Sequence, residues 1–130
     1  VILIGMDIRS PKLKEYLNIQ QTDKKGVTNF LASNNLPLQE IIIPNAIQKN
    51  MDVILAGPIP PNPAELLLGN RIEELFSELK KEYDYIVVDS APVGMVSDTF
   101  SLTRIADATV YICRANYTHK EICKQPCSRT

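Results

Sequence analysis

Residues 83–93 read YDYIVVDSAPV, and this stretch decides the fold class. Its apolar centre, 86–88, contains no alternating polar residue, which is typical of a strand covered by helices on both faces. Asp89 stands at the carboxyl end of this run, and Ser90 follows it. Ligands of open parallel sheets bind beyond the carboxyl ends of the strands. The stretch therefore predicts a buried parallel strand whose last residue faces a ligand crevice.

Three other apolar runs have the length of strands and the same lack of alternation, at 1–4, 51–56 and 107–113. Residues 41–43 are either a further strand or an apolar plug beneath a loop. Cys113 ends the last of the three runs, so we expect its side chain to be buried as a small hydrophobic group.

Helical patterns separate these runs, at 27–33, 63–82 and 98–106. The longest has Asn62 in position to cap its first turn and Pro63 at its first helical position. Its apolar residues recur at spacings of three and four and predict one buried face: Leu68, Ile72, Leu75, Phe76 and Leu79. Strands that alternate with helices predict an α/β fold with a doubly wound, mainly parallel sheet.

The composition of the 130-residue chain excludes several classes of protein. Lys and Arg total 14 against 15 Asp and Glu, a net charge of −1, without the basic excess that duplex-binding domains show. No apolar run approaches the length of about 18 residues that a membrane-spanning helix needs. Three cysteines are few and odd in number, which argues against a disulfide framework and fits a reducing compartment. Composition therefore predicts a globular domain that does not bind nucleic acid.

Two aspartates occupy expected strand ends. Asp7 follows the run 1–4 by three residues, and Asp89 closes the run of the opening stretch. Carboxylates in such places hold Mg²⁺ against nucleotide phosphates, directly or through water. The residues alone leave a second interpretation open, in which each aspartate only caps the loop that it begins.

Four segments in a fixed order add a resemblance to this interpretation: ILIGMDIRSP at 2–11, GPIPPNPAELL at 57–67, YDYIVVDSAPV at 83–93 and DATVYICRANYT at 107–118. Together they resemble the cytoplasmic catalytic domain of bacterial tyrosine kinases, the family that controls capsular and exopolysaccharide chain length and export. The first segment is similar to the family's second Walker motif, an apolar triplet followed by Asp-x-Asp-x-Arg. The third is similar to its Walker B motif. The resemblance implies the P-loop NTPase fold that MinD- and ParA-like ATPases share.

The resemblance implies roles for individual residues. It makes Asp7 a Mg²⁺ ligand and, together with Arg9, part of the catalytic site. It makes Asp89 the Walker B aspartate, which places the ion through its water shell. Ser90 stands where the family has threonine and is expected at the bound nucleotide. Arg114 ends the run 107–113 and is a candidate nucleotide contact, with a surface salt bridge as the alternative.

The sequence departs from the family's pattern in two ways. Gly5 stands where the family has the first aspartate of the Asp-x-Asp pair, and glycine has no group that accepts a proton. No Gly-Lys-Ser or Gly-Lys-Thr occurs in the 130 residues, so the loop that binds phosphates is missing from them. We therefore expect a partial, truncated kinase domain at 1–118, an atypical tail at 119–130, and no activity of these residues by themselves.

For the complete protein, the resemblance implies transfer of the γ-phosphate of ATP, with Mg²⁺, to tyrosine-rich tails of neighbouring subunits. It also implies a transmembrane polysaccharide co-polymerase segment in the same chain or a partner, a homo-oligomer, and a place at the cytoplasmic face of the bacterial inner membrane. Two alternatives stay open: a MinD/ParA-like ATPase switch and a non-catalytic assembly domain. A tyrosine-rich tail would distinguish the kinase from the ATPase switch. A phosphate-binding loop would distinguish both of them from the non-catalytic domain.

Overall fold

A four-stranded sheet lies at the centre of the fold. The computed structural model of the protein describes residues 1–20, 23–92 and 102–121. Within these ranges the strands are β1 (Ile2–Gly5), β2 (Ile42–Gln48), β3 (Met51–Ile54) and β4 (Ile86–Asp89). The helices are α1 (Leu13–Tyr16), α2 (Val27–Ala32), α3 (Pro63–Leu68) and α4 (Arg71–Glu82), with a 3-10 turn at Leu38–Glu40.

The sheet is mainly parallel, as the sequence predicts. Its strand order is β2-β3-β1-β4. The central strand β1 runs parallel to both neighbours, and Ile4 lies opposite Ile54 of β3 and Val88 of β4. Only β2 runs antiparallel, to β3. Because β1, β3 and β4 share one direction, their carboxyl ends meet at the same edge of the sheet.

The main core lies on one face of the sheet. Ile2 and Ile4 of β1 and Ile54 of β3 are fully buried there. Side chains of α2, α3 and α4 pack in the same cluster: Phe30, Leu31, Leu67, Ile72, Leu75, Phe76 and Leu79. Burial of a large aliphatic side chain contributes roughly 1.5–3 kcal/mol, so this layer is the main source of stability.

A smaller core covers part of the opposite face. It contains Val53 of β3 and Leu3 of β1, and they pack against side chains in and just after α1: Leu13, Leu17 and Ile19. This second layer does not reach β4, where Val87 stays 51% exposed. Helical cover on both faces confirms the doubly wound α/β class.

The apolar triplet 41–43 is part of a strand rather than a plug. It leads into β2, which contains Asn45 (φ 50°) and returns to β3 through a turn that contains Asn50 (φ 64°). Both asparagines have left-handed backbone. The side chain of Asn45 accepts a hydrogen bond from the amide of Asn50 at 2.8 Å. Asparagine tolerates this conformation because its side chain bonds locally to the backbone. The antiparallel hairpin was not predicted.

The expectation of one helix over 63–82 is wrong, because the structure has two helices there. Gly69 has extended backbone (φ −71°, ψ 161°) and ends α3. The interruption takes Leu68 out of the expected buried face, and it is 68% exposed while Leu67 is buried. Pro63 begins the helix as predicted, but Asn62 makes no side-chain capping bond. Its amide donates instead to a carboxylate oxygen of Glu65 at 3.0 Å.

The expected strand over 107–113 is also wrong. This segment forms no strand, and Val110 and Ile112 are 85% and 86% exposed. Cys113 is exposed rather than buried. The physical reason is that β-propensity becomes a strand only when a neighbour completes the ladder, and no described strand pairs with this segment.

The helix expected over 98–106 lies partly outside the described residues, as does most of the tail 119–130. Within the described part of 98–106, the chain forms a turn in which the amide of Ala106 donates to the carbonyl of Leu102 at 3.2 Å. The helix expected over 27–33 is confirmed as α2. No helix in the described part of the chain is long and apolar enough to cross a membrane.

The amino edge of the sheet is held by a tyrosine–aspartate contact. The hydroxyl of Tyr83, just after α4, donates to Asp52 Oδ2 at 2.6 Å. The other oxygen of Asp52 accepts from the amide of Asn45 at 2.8 Å. Partial burial and the adjacent carboxylate both raise the pKa of the Tyr83 phenol, so it stays a donor at neutral pH.

We expect Tyr83→Phe to lower the free energy of unfolding by about 1–2 kcal/mol, because a hydrogen bond to a charged, half-buried acceptor is lost. Tyr85 lies two residues away and is exposed, so Tyr85→Phe is the matched control and should leave stability unchanged. Denaturant midpoints of the two variants measure the difference. Equal midpoints would show that the contact adds nothing.

Candidate active site

Asp7 is presented by a tight turn at the carboxyl end of β1. The flanking residues Met6 and Ile8 are both 2% exposed, and the amide of Ile8 donates to the carbonyl of Met6 at 3.0 Å. Two buried apolar neighbours anchor the backbone on both sides and leave Asp7 half-buried between them. The pattern Met-Asp-Ile therefore fixes the position of one carboxylate beyond the strand end.

Asp89 is brought to the same place by the parallel ladder. It is the last residue of β4 and lies opposite Gly5 of β1. Its carbonyl accepts a hydrogen bond from the amide of Met6 at 2.7 Å, which continues the ladder past the end of β1. Asp7 is therefore one residue from the point where β1 and β4 are joined.

The two carboxylates interact electrostatically. Partial burial raises the pKa of the Asp89 carboxyl above its usual value, and the negative charge of Asp7 raises it further. Two carboxylates that share a partly desolvated edge destabilise each other when both are ionised. A cation placed between them would relieve this cost, so the pair is suited to a divalent metal.

The pair supplies two carboxylates and no larger ligand set. Among residues 1–20, 23–92 and 102–121, no three His, Cys, Asp or Glu side chains form a group that could hold a metal ion. A two-carboxylate site fits Mg²⁺, which keeps several waters and binds through one or two carboxylates together with substrate phosphates. It does not fit zinc, whose structural sites need four protein ligands.

Asp7 also serves the loop that follows it. Its Oδ1 accepts a hydrogen bond from the amide of Ser10 at 3.0 Å, so the loop-capping interpretation of this residue is correct for one oxygen. A carboxylate carries about four acceptor positions on two oxygens. Capping Ser10 and holding a metal are therefore compatible functions of the same side chain.

The other predicted residues lie at different distances from the pair along the chain. Ser90 follows Asp89 directly and is half-buried, while Arg9 is exposed two residues beyond Asp7. Arg114 lies in a separate turn, with its guanidinium 5.4 Å from the centre of the Tyr117 ring. Its amide donates to the hydroxyl of Thr118 at 2.9 Å. The strand expected before Arg114 is not formed. The structure therefore does not place Arg114 beside the two carboxylates.

Gly5 has a packing role that the sequence did not reveal. It is buried where β1 leaves the sheet, and a Cβ at this position would lie 3.2 Å from Leu13 Cδ2 and 3.4 Å from the amide nitrogen of Ala56. The latter contact places the loop after β3 directly beside the end of β1. Close packing against Leu13 and Ala56 therefore favours glycine at this position.

The loop after β3 is clamped by the start of α2, which sequence reasoning also missed. The amides of Val27 and Thr28 donate to the carbonyls of Leu55 and Ala56, both at 2.9 Å. The Thr28 hydroxyl donates to the carbonyl of Pro58 at 2.8 Å. Thr28 is a polar residue on the buried face of α2, 3% exposed. The sequence shows the threonine but not its burial, so it gives no clear signal of this contact.

Comparison with known proteins gives a consistent result. The chain is 35% identical over 121 residues to the tyrosine-protein kinase YwqD of Bacillus subtilis, covering 93% of this chain and 49% of YwqD. The crystal structure of the VpsO kinase domain superposes with a TM-score of 0.86 at 31% identity, covering 95% of this chain and 60% of that one. The chain is thus similar, over nearly its whole length, to proteins named as tyrosine-protein kinases. It spans about half the length of YwqD.

A more distant likeness supports the fold alone. The chain superposes on the septum site-determining protein MinD of Pyrococcus horikoshii with a TM-score of 0.61 at 16% identity, over 82% of this chain and 42% of MinD. This is the fold relationship that the sequence motifs imply. No family model matches the chain.

We expect Asp89→Asn to raise the free energy of unfolding at pH 7 in the absence of divalent metal. The raised pKa means that the folded chain holds the proton of Asp89 more tightly than the unfolded chain does. The free energy of unfolding therefore falls as pH rises from the ordinary carboxyl pKa through the raised value, and it stays lowered above that. The gain in the variant should be below about 1 kcal/mol, because the carboxylate is partly exposed.

The gain should disappear below the ordinary carboxyl pKa, where Asp89 is protonated in both states. Asp84→Asn, an exposed aspartate just before β4, is the control. Denaturant unfolding across pH measures both variants. If Asp84→Asn changed the free energy of unfolding as much as Asp89→Asn does, the coupling between Asp89 and Asp7 would be contradicted.

Proposed function

We propose that this chain is part of an ATP-dependent protein-tyrosine kinase, and that Asp7 and Asp89 form its Mg²⁺ site. The observation that carries the proposal is the coupled carboxylate pair at adjacent parallel strand ends, in a chain that is homologous to tyrosine-protein kinases. ATP is the phosphoryl donor and a tyrosine hydroxyl is the acceptor. Mg²⁺, when bound, neutralises charge on the phosphates during transfer.

Each site residue has a defined task in this proposal. Asp7 holds the ion with the carboxylate capacity that its bond to Ser10 leaves available. Asp89 places the ion through its water shell, and the hydroxyl of Ser90 beside it contacts the nucleotide. The exposed guanidinium of Arg9 acts near the transferred phosphoryl group. The assignment of Arg114 to the nucleotide stays a prediction, because no described contact carries it there.

The reaction forms a bond between the tyrosine oxygen and the γ-phosphorus, breaks the bond to ADP, and releases the hydroxyl proton. Gly5 offers no group that would accept this proton. We assign the acceleration mainly to positioning and electrostatics, since phosphoryl transfer depends on little else.

Partners and location belong to the same proposal. We infer that the acceptors are tyrosine-rich tails of neighbouring subunits in a homo-oligomer, and that a transmembrane polysaccharide co-polymerase segment works with the domain. This places the site at the cytoplasmic face of the bacterial inner membrane, in capsule or exopolysaccharide production. The support is the resemblance of the motifs, together with relatives named as tyrosine-protein kinases.

An ATP-hydrolysing switch is the second candidate. It is favoured by the fold shared with MinD, a protein whose structure holds Mg-ADP. The switch uses the same carboxylate pair but produces phosphate instead of phosphotyrosine. A non-catalytic assembly domain, which would form neither product, is the third candidate. The product formed from labelled ATP separates all three.

We expect Asp7→Asn and Asp89→Asn to lower tyrosine phosphorylation by the kinase that contains these residues about a hundredfold, as loss of a group that stabilises transition-state charge does. Asp84→Asn is the matched control, because it removes the exposed aspartate at the opposite end of the β4 segment. Phosphotyrosine formed per minute from labelled ATP is the measurement. Activity close to that of the control in both variants would refute the metal assignment.

We also expect the 130 residues by themselves not to bind ATP appreciably. Mg²⁺ carboxylates supply only part of nucleotide affinity, and backbone amides with a lysine supply much of the rest. Calorimetric titration with ATP and Mg²⁺ tests this, beside the same residues preceded by a Gly-rich phosphate-binding loop. Micromolar binding by the 130 residues would show that the nucleotide site has been misplaced.

A further inference from the structure

Residues 57–61, Gly-Pro-Ile-Pro-Pro, form a stiff loop at the carboxyl edge of the sheet. We call this segment the proline loop. Each proline fixes its own φ and restricts the residue before it. Gly57 has a φ of +84°, a left-handed conformation that glycine adopts without strain. The conformation of the loop is therefore largely set by its own sequence.

Contacts with α2 fix the orientation of the loop as well as its shape. The Thr28 hydroxyl holds the carbonyl of Pro58, and the amides of Val27 and Thr28 hold the residues just before the loop. A Cβ built at Gly26 would lie 2.4 Å from the nitrogen of Gly57. No side chain fits between these two glycines, so the loop and the start of α2 are packed backbone against backbone.

The proline loop flanks the carboxylate pair on the side away from β4. It follows β3, which pairs with β1, and Ala56 packs beside Gly5 just before the turn that carries Asp7. Asp89 approaches from the other neighbour of β1. A phosphate bound through a Mg²⁺ ion at the Asp7–Asp89 pair would have β4 on one flank and the proline loop on the other.

The chemistry of the proline loop excludes a phosphate and favours an aromatic ring. Three of its five residues have no N–H, and none is charged, whereas phosphates are bound by backbone amides and cationic side chains. Ile59 is 64% exposed. Rigid prolines and an exposed aliphatic side chain offer apolar surface at low entropic cost, the kind of surface on which aromatic side chains pack in proline-rich recognition.

We propose that the proline loop binds the segment that carries the acceptor tyrosine, with the phenol ring packed on Ile59. This rests on the proposed kinase function and adds the surface that positions its peptide substrate. Ile59 makes the contact, and Thr28 is a positioning residue that holds the loop in place. The acceptor hydroxyl then reaches the phosphate from the flank that Asp89 does not occupy.

The test measures peptide binding and catalysis separately in the kinase that contains these residues. The probe is a short tyrosine-containing peptide, compared with the same peptide carrying alanine in place of tyrosine. We expect Ile59→Ser to weaken binding of the tyrosine peptide about tenfold and to raise its KM by a similar factor, while the KM for ATP stays within twofold. Ile59 is exposed, so this substitution leaves the core intact.

Ile47→Ser is the matched control. Ile47 is also a partly exposed isoleucine, 42% accessible, but it lies in the hairpin at the opposite edge of the sheet. Equal peptide affinity in Ile59→Ser and Ile47→Ser would overturn the inference, and continued tyrosine phosphorylation in both would leave the kinase function standing. Equal affinity of the two peptides for the unaltered chain would overturn the inference as well.

Thr28→Val tests the positioning role. It keeps the shape of the side chain and removes the hydrogen bond to Pro58, so we expect a rise in peptide KM with kcat for ATP hydrolysis unchanged. Thr28→Ser restores the hydroxyl and should restore the peptide KM. A loss of ATP hydrolysis in Thr28→Val that equals its loss of peptide phosphorylation would show a structural role only.

Discussion

The ladder of β1 with β3 and β4 is the constraint on which the other features depend. The two pairings are parallel, so three strands deliver their carboxyl ends to one edge. The bond from the amide of Met6 to the carbonyl of Asp89 extends the ladder past the last residue of β1. That single extension sets how closely the two aspartates approach. Because β3 and β4 run in the same direction on either side of β1, the chain between them must cross back over the sheet, and it does so through α3 and α4.

The candidate site contains groups that do not stabilise the folded state. Asp89 is partly desolvated beside another negative charge, and the proline loop exposes a large apolar side chain to water. At the other edge, Asp52 is fully used by Tyr83 and Asn45. Functional sites commonly keep such locally unfavourable arrangements because they are relieved when the ligand binds. The amino edge of the sheet thus stabilises the fold, whereas the carboxyl edge carries the candidate site.

Much of the fold follows from the sequence because its strongest signals are local. The runs at the cores of β1, β3 and β4 are apolar without alternation, and their parallel pairing brings Asp7 and Asp89 together without further information. The features that were missed depend on contacts distant in sequence. Segment 107–113 has strand composition, but no described strand pairs with it. The hydrogen bond between Thr28 and Pro58 joins residues 30 positions apart. The break at Gly69 is an intermediate case, since a glycine inside a helical pattern is a weak signal by itself.

The bond between Tyr83 and Asp52 closes a ring of chain around α3 and α4. The two residues are 31 positions apart, and the closed segment contains the proline loop, both helices and the break between them. Bringing the ends of such a segment together costs chain entropy that is recovered only when the crossover has docked. Pairing of β4 with β1 completes the sheet and, by the same register, brings Asp89 beside the turn that carries Asp7. The carboxylate pair is therefore present only when the crossover segment is folded against the sheet.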